Sequence, residues 1–447
     1  MNTPIRDFAL AYARQDPLRL HVPGHKGGPL LGPEPWDLTE MAGADDLYHA
    51  DGIIRQSEEN AGKLFGCPTF YSAEGSSLAV RAMVHLAALW AQEQGLAPHI
   101  AAARNVHKSF LSAAALLDIP VTWLSSAADG PYLSCQPDMD HLEALLSRPD
   151  SKPTAVYLTS PDYLGAMTDV AAVARICHRH GVLLLVDCAH GAYLRFLPES
   201  LHPTDLGADL CCTSAHKTLP VLTGGAYLHI HPQLPPFFSR HAKRALALFG
   251  SSSPSYLILQ SLDCANVCLA ESFPGQLADF LPHVRQLRRA LLSHGYSLRG
   301  NEPLKLTLAP KAYGYTGQTL DEILQRQGIV CEFSDPDFLV LMLTPAIGVS
   351  GLNRLGQALC SLPRRAPILS APPGPGRGRQ MCTLREAILA PGEEIPAAQS
   401  VGRILGAASM SCPPAVPIVM PGQEIDDAAA AAFAYYGISS VTVLPQA

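Results

Sequence analysis

The chain has 447 residues, with 32 Lys and Arg against 39 Asp and Glu and a formal net charge of −7 at pH 7. At about 100 to 200 residues per domain this length predicts two or three domains with ample core, not a small stapled scaffold. The charge is too mild and too evenly spread for a nucleic-acid surface, so the expected partner is a small molecule or another subunit.

Taken in chain order, the N-terminus MNTPIRDFALAYARQ has no apolar core segment and does not read as a secretory signal. From Asn60 to about Ile230, helix-like stretches alternate with short apolar runs. Strands are expected at His99 to Ala103, Val121 to Leu124, Ala155 to Thr159, Val182 to Asp187, Leu210 to Thr213 and Ala226 to Ile230. Helices such as Ser77 to Gln94 and Asp169 to His180 separate them, which predicts an α/β architecture with a mainly parallel sheet covered on both faces.

A linking helix around Tyr256 to Leu269 leads to a smaller α/β domain over Leu281 to Leu362. Next comes a Pro/Gly run containing PPGPGRGR. Its Gly374, Gly376 and Gly378 could be imagined as a phosphate loop, but no strand precedes them and no helix signal follows closely, so a spacer is expected. The expected division is an N-terminal segment 1–60, a large domain 61–275, a small domain 276–362, a linker 363–380 and a C-terminal domain 381–447. The uncharged runs near the C-terminus are broken by Pro413, Pro414, Pro417 and Pro421, and by Gly437, so neither reads as a membrane span. The tail YYGISSVTV reads as a closing strand. Twelve cysteines lack C-x-x-C pairs and sit largely in apolar runs, as reduced core residues of a cytoplasmic protein do.

The chemistry concentrates in LLLVDCAHGAYLRF and DLCCTSAHKTLPVLTGGAYLHI. Each apolar run ends by delivering polar residues, Asp187 to His190 in one case and Ser214 to Lys217 in the other. In an open parallel sheet ligands bind beyond the C-terminal strand ends, so these groups are expected in one crevice. A carboxylate and a lysine in this setting fit pyridoxal 5′-phosphate (PLP). The carboxylate, Asp187, would keep the pyridine nitrogen protonated, and the amine, Lys217, would form the Schiff base. Singly, Asp187 reads as a helix cap and Lys217 as a surface lysine; it is the combination that points to the cofactor. Gly75, Ser76 and Ser77 open a long helix and offer N–H groups and hydroxyls to a phosphate, with Ser214 as a further ligand. His107, after the first expected strand, is either a loop residue or a ring stacked on the pyridine.

Motifs along almost the whole chain resemble the Orn/Lys/Arg decarboxylase family. They are HVPGHKGG (21–28), DDLYHADGIIRQSEENAGKLFG (45–66), EGSSLAVRAM, RNVHKS, TSPDYLG (159–165), VDCAHG, SAHKT, SSSPSY (251–256) and the late VGRI…PPAVPIVMPG. The resemblance implies a PLP-dependent transferase fold of type I, with Lys217 as the Schiff-base lysine, Asp187 at the pyridine nitrogen and His107 stacked on the ring. It places Ser76, Ser77, Ser214 and His216 around the phosphate or the Schiff base and Ala189 under the ring. Ser252 or Ser253 would reach the neighbouring subunit's phosphate in a homodimer. With HVPGHKGG beginning at His21, the chain resembles the short form without an N-terminal wing domain. Ser76 stands where the family usually has threonine, and Val80 or Arg81 where many members have asparagine.

The activity so implied is decarboxylation of a basic L-amino acid, arginine or lysine before ornithine, with Lys217 or His216 returning a proton to Cα. The side-chain pocket is not legible. Asp45, Asp46, Asp51 and Glu394 could read the substrate's distal charge or could be plain exposed carboxylates. Transamination or β-elimination would use the same Lys217 and Asp187, and a non-catalytic PLP-binding protein would keep both. A dinucleotide enzyme lacks its strand-linked G-x-G-x-x-G. His229 and His231, alternating on a strand, read as structural, and no metal is expected. His178 and His180 read as helix caps.

Overall fold

Seven short runs, rich in apolar residues and mostly buried, pair into one sheet: β1 (Thr69–Ser72), β2 (Ile100–Ala102), β3 (Val121–Trp123), β4 (Ala155–Thr159), β5 (Leu183–Asp187), β6 (Leu210–Thr213) and β7 (Ala226–Ile230). Their order is β1-β7-β6-β5-β4-β2-β3. Every residue of β5, β6 and β7 is buried, which is why these strands read as unbroken apolar runs instead of alternating ones. The computed structural model describes residues 1–127, 131–374, 376, 378–407 and 416–446. Pro413 and Pro414 lie outside them.

The chain divides into two compact units. The first comprises Met1–Pro98, Thr154–Tyr157 and Val170–Gly275, and the second His99–Pro153, Leu158–Asp169 and Gln276–Ala447. In the first, β5 and β6 run parallel, but β7 is antiparallel to both β6 and β1. The connection from β6 to β7 holds only the one-turn helix Ala215–Thr218, so the chain reverses instead of crossing over. The expected β4, β6 and β7 fall on the observed bounds. β1 was not expected: TFYS is four residues long and carries one polar residue at each end. Helix Gly75–Glu93 buries Leu78, Val80, Met83, Leu86 and Ala91 among others. The expected boundary after residue 60 falls inside helix Ile53–Phe65.

The second unit contains a four-stranded antiparallel sheet, β10-β11-β9-β8, from β8 (Leu298–Arg299), β9 (Lys305–Leu308), β10 (Phe333–Ser334) and β11 (Leu339–Met342). Only two strand-like runs are legible there, because β8 and β10 are two residues each. Helices Phe273–His294, Gly317–Arg326 and Gly348–Cys360 accompany it. The C-terminal part pairs β12 (Glu393–Pro396) with β13 (Ser440–Val443), which is the closing strand of the tail. Its core gathers Ile395, Leu405, Ile418, Phe433 and Val441.

The run from Pro363 to Arg379 has no helix or strand among its described residues. Two of its glycines serve close packing: a Cβ on Gly378 would lie 1.7 Å from Glu424 O, and one on Gly376 2.5 Å from Asp426 Oδ1, whereas one on Gly374 would meet nothing within 4 Å. Eleven cysteines are described and all are free. Six are buried, but Cys264 is exposed, on helix Tyr256–Glu271, a departure from the core reading. Among the described residues no helix is long and apolar enough to cross a membrane.

Candidate active site

Asp187, the last residue of β5, stands opposite Cys212 of β6. Neighbouring parallel strands end at one edge of a sheet, so the segments 188–191 and 214–218 emerge side by side. Two backbone hydrogen bonds fasten them: Cys188 N–H donates to Cys212 O (2.9 Å) and Ser214 N–H to Ala189 O (3.3 Å).

The carboxylate of Asp187 is held from both sides. Oδ1 accepts the Ala189 N–H (3.1 Å) and the Cys212 thiol (3.5 Å), and Oδ2 accepts the Tyr157 hydroxyl (3.1 Å). Asp187 is only 3 % exposed, and Tyr157 and Cys212 are wholly buried. Burial, aided by the carboxylate beside them, pushes the phenol and the thiol well above their usual pKa values, so both stay protonated and donate. A buried carboxylate needs such donors, because desolvation otherwise favours its neutral form. Neither residue was expected in the site. The signal available was a tyrosine inside a buried run, whose hydroxyl must find a partner.

Lys217 lies in the helix Ala215–Thr218, and its Nζ is 3.0 Å from Nε2 of His190. His216 turns the other way: its Nδ1–H donates to the Gly225 carbonyl (2.9 Å). Burial lowers its pKa, with smaller contributions from the Gly225 bond, which opposes the shift, and from Lys217.

The phosphate-loop residues come together beside this helix. Gly75 has φ +70°, a left-handed conformation suited to glycine, and its N–H donates to Gly224 O (2.7 Å). The Ser214 hydroxyl donates to Ser76 Oγ (2.8 Å), and Ser77 follows in the first turn of helix Gly75–Glu93. A Cβ on Gly75 would meet nothing nearer than His216 Cε1 at 4.0 Å. Ser251, Ser252 and Ser253 are exposed; Ser251 N–H donates to Glu74 Oε1 (2.6 Å), tying that run to the residue before the helix.

His107 belongs to the second unit. It is half-buried and caps helix Lys108–Leu116, its Nδ1 accepting the Ser109 N–H (3.2 Å). Asp45 accepts N–H groups from Asp46, Asp51, Gly52, Ile54 and Arg55 and so organises its own loop. Asp46 likewise accepts from Tyr48 and His49, and Glu394 accepts the Ser440 hydroxyl. His229 is buried between Thr69 Oγ1 (3.0 Å) and Thr213 Oγ1 (2.9 Å). His178 pairs with Asp209 across 3.1 Å, a contact between elements and not only a helix end. Among the described residues no group of three or more His, Cys, Asp or Glu is arranged to hold a metal.

The donor set suits PLP: a buried carboxylate, a lysine amine on the neighbouring loop, and hydroxyls clustered at a helix start for a phosphate. Fold and site together define a PLP-dependent enzyme of fold type I. The sequence profile described as Orn/Lys/Arg decarboxylase, major domain, matches residues 3–309. The chain is 31 % identical to the uncharacterised protein YaaO of Bacillus subtilis over 95 % of its own length and 92 % of that protein's. It is 28 % identical to an arginine decarboxylase of Halalkalibacterium halodurans, covering 95 % and 91 % of the two chains. In three dimensions it is similar to the lysine decarboxylase of Francisella novicida, with TM-score 0.77 at 16 % identity over 99 % of this chain and 81 % of that one. The chain belongs to the Orn/Lys/Arg decarboxylase family. It is therefore a PLP-dependent decarboxylase of the class that acts on basic amino acids.

Proposed function

We propose that the chain decarboxylates L-arginine, with lysine the next substrate and ornithine the last. The observation that carries this reading is the pair of strand ends that bring Asp187 and Lys217 to one edge of the sheet. Relatives named arginine decarboxylase, at 28 % identity, support the order of substrates.

In this reading Lys217 would hold PLP, Asp187 would serve the pyridine nitrogen, and Ser76, Ser77, Ser214 and the backbone at Gly75 would receive the phosphate. Ala189 would pack against the cofactor, and His107 and His216 would take the roles the family resemblance gives them. Bound there, PLP supplies an electron sink for the pair left on Cα as carbon dioxide departs. Asp187 keeps a proton at the ring nitrogen, which is the condition for that sink. The Lys217 amine would return a proton to Cα, with His190 Nε2, 3.0 Å away, as the neighbour that would take up or supply the lysine's own proton. The buried setting of Asp187 excludes water, so its charge acts at low dielectric.

A cytoplasmic homodimer completes the proposal, with Ser252 or Ser253 serving the phosphate of the neighbouring copy. Their exposure supports this. The test is a panel of arginine, lysine and ornithine assayed for carbon dioxide, with Lys217→Ala as the blank. Keto-acid formation in place of carbon dioxide, or no turnover of any of the three, would overturn the reading.

A further inference from the structure

Three protein donors meet the Asp187 carboxylate, and they differ in origin. The Ala189 N–H is supplied by the backbone turn whatever residue stands there. The Tyr157 hydroxyl on Oδ2 (3.1 Å) and the Cys212 thiol on Oδ1 (3.5 Å) exist only because of two side chains on the strands flanking β5. Phenylalanine and valine would fill those buried strand positions without adding any polar atom to satisfy, so packing alone does not call for tyrosine and cysteine.

We propose that Tyr157 and Cys212 are positioning residues for the decarboxylation, holding Asp187 ionised and in one orientation so that the proton it shares with the cofactor stays on the pyridine nitrogen. This rests on the reading that Asp187 meets that nitrogen. A carboxylate and a pyridine compete for one proton, and every hydrogen bond donated to the carboxylate favours its charged form. Donation from both flanks also fixes the carboxylate plane, since each oxygen has a donor from a different strand. Burial keeps phenol and thiol protonated, so neither competes for the negative charge. Loss of either donor shifts the proton toward Asp187 and weakens the electron sink.

The test uses the holoenzyme with Tyr157→Phe, Cys212→Ala and Cys212→Ser, loaded with PLP carrying 15N at the ring nitrogen. The 15N chemical shift is expected to move from the pyridinium toward the pyridine position in Tyr157→Phe and Cys212→Ala. Cys212→Ser, which keeps a donor, should return toward wild type. In Tyr157→Phe and Cys212→Ala kcat should fall about tenfold while KM stays within about twofold, a loss confined to the chemical step. A wild-type 15N shift and kcat, with only the thermal midpoint lowered, would mean that both residues merely pack the core. If Tyr157→Phe does not fold, the Cys212→Ala and Cys212→Ser pair decides by the same shift. Borohydride trapping on the same samples separates the two levels. Label on Lys217 with an unmoved 15N shift sinks this inference alone, whereas label on another peptide sinks the reading of the site.

Discussion

The side-chain nitrogen of Lys217 lies 3.0 Å from Nε2 of His190, two residues separated by 27 positions and brought together by the ends of β5 and β6. A cofactor-bearing lysine must be neutral to attack an aldehyde and must hold a proton to return it to Cα, so a neighbouring imidazole serves both phases. His190→Gln is expected to keep PLP trappable on Lys217 while lowering kcat by about 100-fold. Carbon dioxide release and the mass of the borohydride-reduced peptide measure the two quantities separately. A variant with full kcat would remove this pair from the reaction.

The hydroxyl pair Ser214 and Ser76, 2.8 Å apart, should act as a unit toward the phosphate. Ser76→Ala and Ser214→Ala are each expected to weaken PLP binding by about tenfold, roughly the worth of one hydrogen bond to a charged group. The double variant should lose less than the product, because each single change already breaks the shared bond. Fluorescence titration of the PLP-free protein gives the three constants, and strict additivity would argue against a joint role.

His202 and His229, the latter on β7, form a buried pair with ring centroids 4.9 Å apart. Burial lowers the pKa of both, that of His202 to about 4 from 6.5, with Asp205 opposing the shift and Arg195 adding to it. A histidine whose folded pKa lies below its unfolded value lends its full share of stability above pH 6.5. As pH falls from 6.5 toward about 4 the unfolded chain binds a proton that the folded chain refuses, and this share is lost. The loss for His202 is on the order of 3 kcal/mol. Urea denaturation across that range should show the decline, and His202→Phe should flatten it. An equal slope in the variant would assign the acid sensitivity elsewhere.

Asp45, a candidate reader of the substrate's distal charge, spends its carboxylate on its own loop. Oδ1 accepts from Asp46 (2.9 Å) and Asp51 (3.1 Å), and Oδ2 from Gly52 and Ile54 (both 2.9 Å). These bonds hold its pKa below the usual carboxylate range against the opposing effect of burial. Asp45→Ala is expected to cost about 2 kcal/mol of stability while leaving KM for arginine within about twofold. A large rise in KM at unchanged thermal midpoint would reinstate it as a substrate contact.

Read alone, the sequence determined the α/β class and the positions of β4, β6 and β7, and it singled out Asp187 and Lys217, the two residues on which the proposed chemistry rests. Buried parallel strands read as apolar runs, and the polar residues that follow, Asp187 at the end of β5 and Lys217 just beyond β6, stand out against that background. Local signals also marked Gly75 to Ser77, because a glycine and two serines before an apolar helix carry their own meaning.

Only the tertiary structure decided what meets those residues. That Tyr157 reaches Asp187 follows from β4 lying beside β5. That Cys212 reaches it follows from the register of β6, and that His190 and not His216 faces the lysine amine follows from how two loops pack. The reversal of β7 and the existence of β1 belong to the same class. Strand order, direction and register are set by the summed burial of whole strands, and four residues such as Thr69–Ser72 carry too little pattern to announce their partner.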